Sequence, residues 1–351
     1  MKRFTAIAHN FNNALIKSAL SVFLLTSSLK LANSFMHLHR NPFYKTKNYY
    51  LQSMPNISID FTSEQQAPAA NHELATPWLV FTALDGMLVD PFNYCLKPAD
   101  RTLQALKTNN IPVIFNSNRT FSELIEIRKI FENEHPFIIE NGSAICVPKG
   151  YFKSQQPAEN IDGYSIFFLG YHYSMVIQKL HRIRTARKFN FAGFYDWSRA
   201  EVAQKTGLNQ HLALLNQQRL CSEPILWHDT ALQFELFKTE LEKNQLTLTS
   251  VDNFYLINGK TDKASAMQKL KEKYQYEHKN KIRLFALSNA INDISMLEQA
   301  DFAGAISKEK SPLKLKHSRK FFYTKQAGIS GWNEAIEHFL QETYEQNPEP
   351  V

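Results

Sequence analysis

Cysteine is scarce. Only Cys95, Cys146 and Cys221 occur in 351 residues, an odd count at wide spacing. That pattern offers neither the paired thiolates of a zinc site nor a disulfide framework, so the three read as buried thiols. Long apolar runs are missing too. Ser18–Leu29 is uncharged and mainly apolar between Lys17 and Lys30, but its twelve residues are too few to span a bilayer. Acidic residues are nearly absent from the first 60 positions. There Asp60 alone stands against Lys2, Arg3, Lys17, Lys30, Arg40, Lys45 and Lys47, so this segment carries +6 of the net +7. The rest of the chain is close to +1, which leaves no electrostatic case for a nucleic-acid enzyme or a nucleic-acid partner. No internal repeat is visible.

What is present is a globular composition, 44% hydrophobic and 13% aromatic. Residues 1–75 read as a basic extension and linker, with Pro55, Pro68 and Pro77 marking the linker. Three readings of residues 14–36 stand side by side: an export or signal segment, a membrane-surface helix, and a helix packed on the protein itself. Membrane-surface contact would run through residues 14–50. Residues 346–351 read as a solvated tail.

From Trp78 the pattern becomes α/β. Trp78–Thr82 is a short apolar strand running into Ala83-Leu84-Asp85-Gly86. Pro98 opens a helix carrying Leu103 and Leu106. Pro112–Asn116 is a second buried strand, followed by Ser117-Asn118-Arg119-Thr120, and Thr120 with Glu123 forms a capping box for the next helix. Asn141-Gly142 between two apolar runs signals a hairpin. Strand and helix alternate in the order that favours a parallel sheet. Residues 161–255 read as an inserted α+β domain between a first core part, 76–160, and a second, 256–345. The fold class is therefore α/β, a Rossmann-like core with an insertion.

Leu84-Asp85-Gly86 and Ser117 at strand ends, Lys263 at a helix start and Asn292-Asp293 after a strand follow the motif order of the haloacid dehalogenase superfamily. More narrowly, the chain resembles its mannosyl-3-phosphoglycerate phosphatase family, whose insertion is a type IIB cap. The resemblance covers residues 78–340. It rests on His135–Phe152, Thr206-Gly207-Leu208, Gln218-Arg219, Ser222-Glu223-Pro224, Thr261-Asp262-Lys263, Asn292–Glu298 and Gly331-Trp332-Asn333. It implies hydrolysis of a phosphate monoester on a phosphorylated sugar or sugar acid, through an aspartyl-phosphate and with Mg²⁺. Asp85 would be the acid/base, with its backbone carbonyl on the metal. Ser117, Lys263 and Asn292 would hold the phosphoryl group, and Glu140, Asn141, Arg219, Ser222 and Glu223 would face substrate or cap. Asp293 would serve the metal. It also implies a cytoplasmic core. Taken singly, the same residues have plainer readings: Asp85-Gly86 a turn, Ser117 a cap, Lys263 a solvated lysine, Asp293 a helix start.

Four positions depart from the family. The nucleophile position is Ala83, whose methyl group can neither attack phosphorus nor bind a cation. Asn289 stands at the main metal carboxylate, Ser288 precedes it in place of glycine, and Met87 replaces a small hydroxyl residue. In the cap, Asp252-Asn253 and Leu256 replace the family's glycine, arginine and histidine. Three functions remain in view: a catalytically deficient protein binding a phospho-ligand or a protein partner, a phosphatase in which Asp85 acts on water, and an exported or membrane-surface interaction protein.

Overall fold

The computed structural model describes residues 78–89, 99–154, 158–307, 313–316 and 320–346. The expectations for the extension, Pro98, Cys95 and the tail beyond Gln346 lie outside the described residues. Among the described residues no helix is long and apolar enough to cross a membrane.

The core is a five-stranded parallel sheet. Strand β1 (Trp78–Thr82) is buried along its whole length, as expected of a strand covered on both faces. Its alternating side chains join two apolar layers. Val80 packs with Phe285, Leu287, Trp332 and Phe339, while Leu79 and Phe81 pack with Ile114, Met267, Leu270 and Ala286. After β1 come α1 (Asp100–Thr108), β2 (Val113–Phe115) and α2 (Phe121–Ile130), whose capping box of Thr120 and Glu123 is present. The hairpin of β3 (Phe137–Ile139) and β4 (Ala144–Pro148) turns through Glu140-Asn141-Gly142-Ser143. Next are β5 (Glu159–Ile161) and β6 (Tyr164–Phe168). β6 pairs with β4, so β3, β4, β6 and β5 make one antiparallel sheet, joined to the end of β2 by a bridge between Asn116 and Ile138.

The insertion follows: α3 (Tyr173–Arg187), β7 (Phe191–Gly193), α4 (Arg199–Thr206), α5 (Gln210–Gln217), β8 (Ser222–Trp227), α6 (Ala231–Lys243), β9 (Leu246–Val251) and β10 (Phe254–Gly259). Its antiparallel sheet runs β7-β8-β10-β9, with Val176, Leu180, Phe237 and Leu241 packed on Ile225 and Ile257. The chain enters and leaves this cap side by side. A Cβ on Gly259 would lie 2.7 Å from the Tyr171 backbone nitrogen and 3.0 Å from the Gly170 Cα, so only a glycine fits there.

The core resumes with α7 (Lys263–His278), β11 (Arg283–Ser288), α8 (Ile294–Glu298), β12 (Phe302–Ser307), β13 (Phe321–Ala327) and α9 (Gly328–Gln346). The parallel order is β13-β12-β11-β1-β2. All five strands share one direction, so Ala83, Asn116 and Ser288 meet at a single sheet edge, the place where open α/β sheets build ligand sites. Four strands were not expected. β5 is polar and short, β7 is three residues, β8 carries Pro224, and β13 is an edge strand with alternating exposure.

Candidate active site

Ala83 follows directly on β1, pinned by its backbone N–H to the Leu287 carbonyl at 3.0 Å. Its methyl group is the only side chain the site receives from that position. Thr82 offers no substitute. Its hydroxyl donates to the Ala83 carbonyl at 2.7 Å and accepts from the Trp332 indole at 3.0 Å, on the core side of the strand. The next turn closes with the Met87, Leu88 and Val89 amides all bonded to the Leu84 carbonyl, and Met87 is fully buried beneath it. Gly86 takes the left-handed conformation this turn needs, φ 73°.

Asp85 projects from that turn, about a third exposed, and is gripped by Arg119. The Arg119 Nε donates to Asp85 Oδ1 at 2.9 Å and Nη2 at 2.5 Å. Arg119 is itself buried and also donates to Glu123 Oε1 at 3.2 Å. A doubly donating guanidinium is a strong, directional partner for a carboxylate. The family's motif positions do not include Arg119. The signal that could have found it is an arginine two residues beyond a strand-ending serine, with Glu123 one helical turn further on.

Lys263 sits in the first turn of α7 and points at Asp293, its ammonium 2.8 Å from Oδ1 and 2.9 Å from Oδ2. Ser288 donates to the same Oδ2 at 2.6 Å. Lys263, Asp293 and Ser288 therefore converge below Ala83. The end of β2 joins them, because the Asn116 amide donates to the Lys263 carbonyl at 3.0 Å. Ser117 is buried beside it, and its hydroxyl accepts from the Arg119 backbone N–H at 3.2 Å. Asn289 turns its amide to the Asp85 carbonyl, 3.5 Å away at the outer limit of a hydrogen bond. Asn292 lies away from this group. Its amide donates to the Ser250 carbonyl of the cap at 2.6 Å, so its contact is with β9.

The cap-facing residues divide. Glu140, Asn141 and Gly142 are three successive left-handed residues. The first two hang from the Ser117 loop, Glu140 N–H on the Arg119 carbonyl and Asn141 N–H on the Ser117 carbonyl, both at 3.0 Å. A Cβ on Gly142 would strike the Asp262 carbonyl at 2.1 Å, so the same turn abuts the start of α7. The Glu140 carboxylate is wholly buried and accepts from Leu220 N–H at 2.7 Å, Cys221 N–H at 2.9 Å and the Ser222 hydroxyl at 2.6 Å. Burial raises its pKa, opposed by nearby Arg219 and by these three donors. Arg219 donates to the Asn118 carbonyl at 3.1 Å, Asn141 to the Thr249 hydroxyl at 3.0 Å, and Asn216 to Glu123 at 2.9 Å. Glu140, Asn141, Arg219 and Ser222 thus fasten cap to core. Leu256 is buried, and Asp252-Asn253 form the exposed turn between β9 and β10.

Glu223 faces the other way. It follows Ser222 on β8, so alternation turns it into the cap interior. There it accepts from the Tyr195 N–H at 2.8 Å and the Tyr173 hydroxyl at 2.9 Å. Burial pushes its pKa from 4.5 up to about 8. Unfolded, it titrates near its ordinary value; folded, it keeps its proton to about pH 8. Its contribution to stability is therefore full below about 4.5 and is lost as pH rises through about 8. The fall is at most about 1.4 kcal/mol per pH unit. Glu223→Gln should flatten this part of the urea-midpoint profile; a wild-type profile parallel to the variant's would refute the assignment. Cys146 and Cys221 are buried free thiols whose pKa values burial raises.

A divalent cation does not fit these residues. Ala83 supplies no oxygen, Asn289 only a neutral amide, and the Asp293 charge is already met by the Lys263 ammonium, with Oδ2 bonded by Lys263 and Ser288 and Oδ1 accepting no hydrogen bond. Mg²⁺ prefers several hard anionic oxygens. Among the described residues no three His, Cys, Asp or Glu side chains gather to hold a metal.

Comparison with known proteins agrees with this geometry. The chain is 29% identical over 265 residues to the glucosyl-3-phosphoglycerate/mannosyl-3-phosphoglycerate phosphatase of Persephonella marina, covering 75% of this chain and 97% of that one. Its fold matches a phosphatase of the haloalkanoate dehalogenase superfamily from Bacteroides thetaiotaomicron with a TM-score of 0.51, at 16% identity and over 79% of this chain and 99% of that one. A haloacid dehalogenase-like hydrolase from the same organism matches with a TM-score of 0.50, at 15% identity and over 75% and 100%. Residues 80–331, most of the chain and all four of its motif positions, match one family, and the chain belongs to it: the haloacid dehalogenase-like hydrolases.

Proposed function

We propose that this chain binds a phosphorylated sugar or sugar acid in a phosphatase fold and does not turn it over. The observation that carries the reading is Ala83, a methyl group at the strand end where the family's reaction needs a carboxylate. The ligand class follows from the name of the Persephonella relative, whose phosphatase acts on a glycosyl phosphoglycerate. The surviving polar groups support it: Lys263 and Ser117 lie at the shared sheet edge, and Arg219 stands at the core–cap seam. A phosphoryl group entering there would share the Lys263 ammonium with Asp293 and accept from the Ser117 hydroxyl.

Attack by water with Asp85 as base is the weaker reading. Both Arg119 donors fall on Asp85 Oδ1 and stabilise the carboxylate in place. That oxygen is engaged by Arg119 rather than open to a water's proton.

The test is calorimetric titration of the full chain with mannosyl-3-phosphoglycerate, alongside an assay for released phosphate. Binding without release is expected, and Lys263→Met should weaken it by at least about tenfold, the scale of a charge-assisted hydrogen bond. Turnover at ordinary enzyme rates would sink the proposal.

A further inference from the structure

We infer that the phosphoryl pocket of this chain works without a divalent cation, whose contact with the Asp85 carbonyl is taken over by the Asn289 carboxamide. The inference rests on the proposed reading of the site as a phosphate holder. It begins from the Asp85 carbonyl. In a metal-bearing site of this family that oxygen would face the cation. Here it faces the Asn289 Nδ2 at 3.5 Å, an N–H donor presenting positive charge to the same lone pair. The amide is seated rather than loose, since a Cβ on Gly86 would lie 3.2 Å from that nitrogen. An aspartate at 289 would instead aim a carboxylate at a carbonyl oxygen, which is stable only with a cation between them.

The second element is Asp293. An unaccompanied buried carboxylate is costly. This one, 1% exposed, is neutralised by Lys263 and bonded by Ser288. Ser288 contributes because it is not glycine: its hydroxyl donates to Oδ2 and its oxygen accepts the Ala290 N–H at 3.1 Å. The third element is charge. Ala83 and Asn289 remove two negative charges, and losing a divalent cation removes two positive ones. The three losses cancel, so the pocket keeps the balance that a phosphate dianion meets in a metal-loaded site. Asp85 is held by Arg119, which it shares with Glu123.

Two measurements on the full-length chain test this. Manganese binding is followed by electron paramagnetic resonance in the wild type and in Ala83→Asp/Asn289→Asp. Inorganic phosphate binding is followed by calorimetry in EDTA and in Mg²⁺. The expected result is free Mn²⁺ with the wild type, bound Mn²⁺ with the double variant, and a phosphate affinity that changes less than about twofold between EDTA and Mg²⁺. Mn²⁺ bound equally by wild type and variant would overturn the inference, and so would a tenfold or greater gain in phosphate affinity with Mg²⁺. A folded double variant that still leaves Mn²⁺ free would overturn the assignment to Ala83 and Asn289. If phosphate binds under neither condition, the proposed function fails, and the manganese measurement still decides the cation question.

Discussion

Ala83→Asp/Asn289→Asp should turn this chain into a Mg²⁺-dependent phosphatase, raising phosphate release from a sugar phosphate at least about 10³-fold over the wild type. The scale comes from the reverse experiment, in which deleting a nucleophile from a covalent enzyme costs about 10⁶ in kcat. A full return is not expected, because Arg119 still grips Asp85. Neither single variant should gain much. Ala83→Asp alone adds a carboxylate beside Asp85 and Asp293 with no cation to offset their repulsion. Asn289→Asp alone gains a metal ligand but no attacking group. The pair should therefore exceed the sum of the singles by a wide margin, as groups that act as a unit do. A double variant that folds, binds Mg²⁺ and releases no phosphate would show that the rest of the site has also been lost. Phosphate release with Mg²⁺ and with EDTA is the measurement.

Glu140→Ala should be the most damaging single change to stability, by about 3 kcal/mol or more, because it strands three buried donors at once. At the usual scaling for a domain of this size that is a fall in unfolding temperature of roughly 6–12 °C. The donors are Leu220 N–H, Cys221 N–H and the Ser222 hydroxyl, all on the chain leading into β8. Glu140→Gln should recover only part of the loss, since its amide NH₂ would meet one donor with another. Differential scanning calorimetry of the three proteins gives the ranking; a variant within about 1 kcal/mol of wild type would mean that water replaces the carboxylate. This damage is separate from any effect on phosphate, because Glu140 bonds to the cap rather than to Lys263 or Asp85.

Much of the architecture is legible in the sequence because it is locally encoded. The apolar run at 78–82 and the Thr120-to-Glu123 spacing each specify their element with residues close in the chain. Leu246–Val251 likewise reads as a strand and is one. The missed strands lack that local code. β8 holds Pro224 at an interior position, yet Pro224 still accepts from the Phe194 N–H at 3.2 Å, so the strand pairs despite the missing donor. The site was legible as a set of positions, and Lys263, Asp293 and Ser288 do converge. The partners chosen by Arg119 and Asn292 were not legible, because each depends on where a distant segment comes to rest. Arg119 reaches the turn after β1, and Asn292 reaches a carbonyl of β9. Glu223 is named from the sequence, but its face was not legible: one step along a strand reverses the face, and β8 itself was not foreseen.

The contact between Gly170 and Gly259 sets the cap apart as a loop whose two feet touch. To the core, everything between those glycines occupies the geometric place of a tight turn. The cap is joined to the core by two adjacent crossings of the chain and held along the rest of its seam by the side chains of Glu140, Asn141, Arg219 and Asn292 and by Leu212, Leu215 and Cys221, which are buried in the core's apolar cluster.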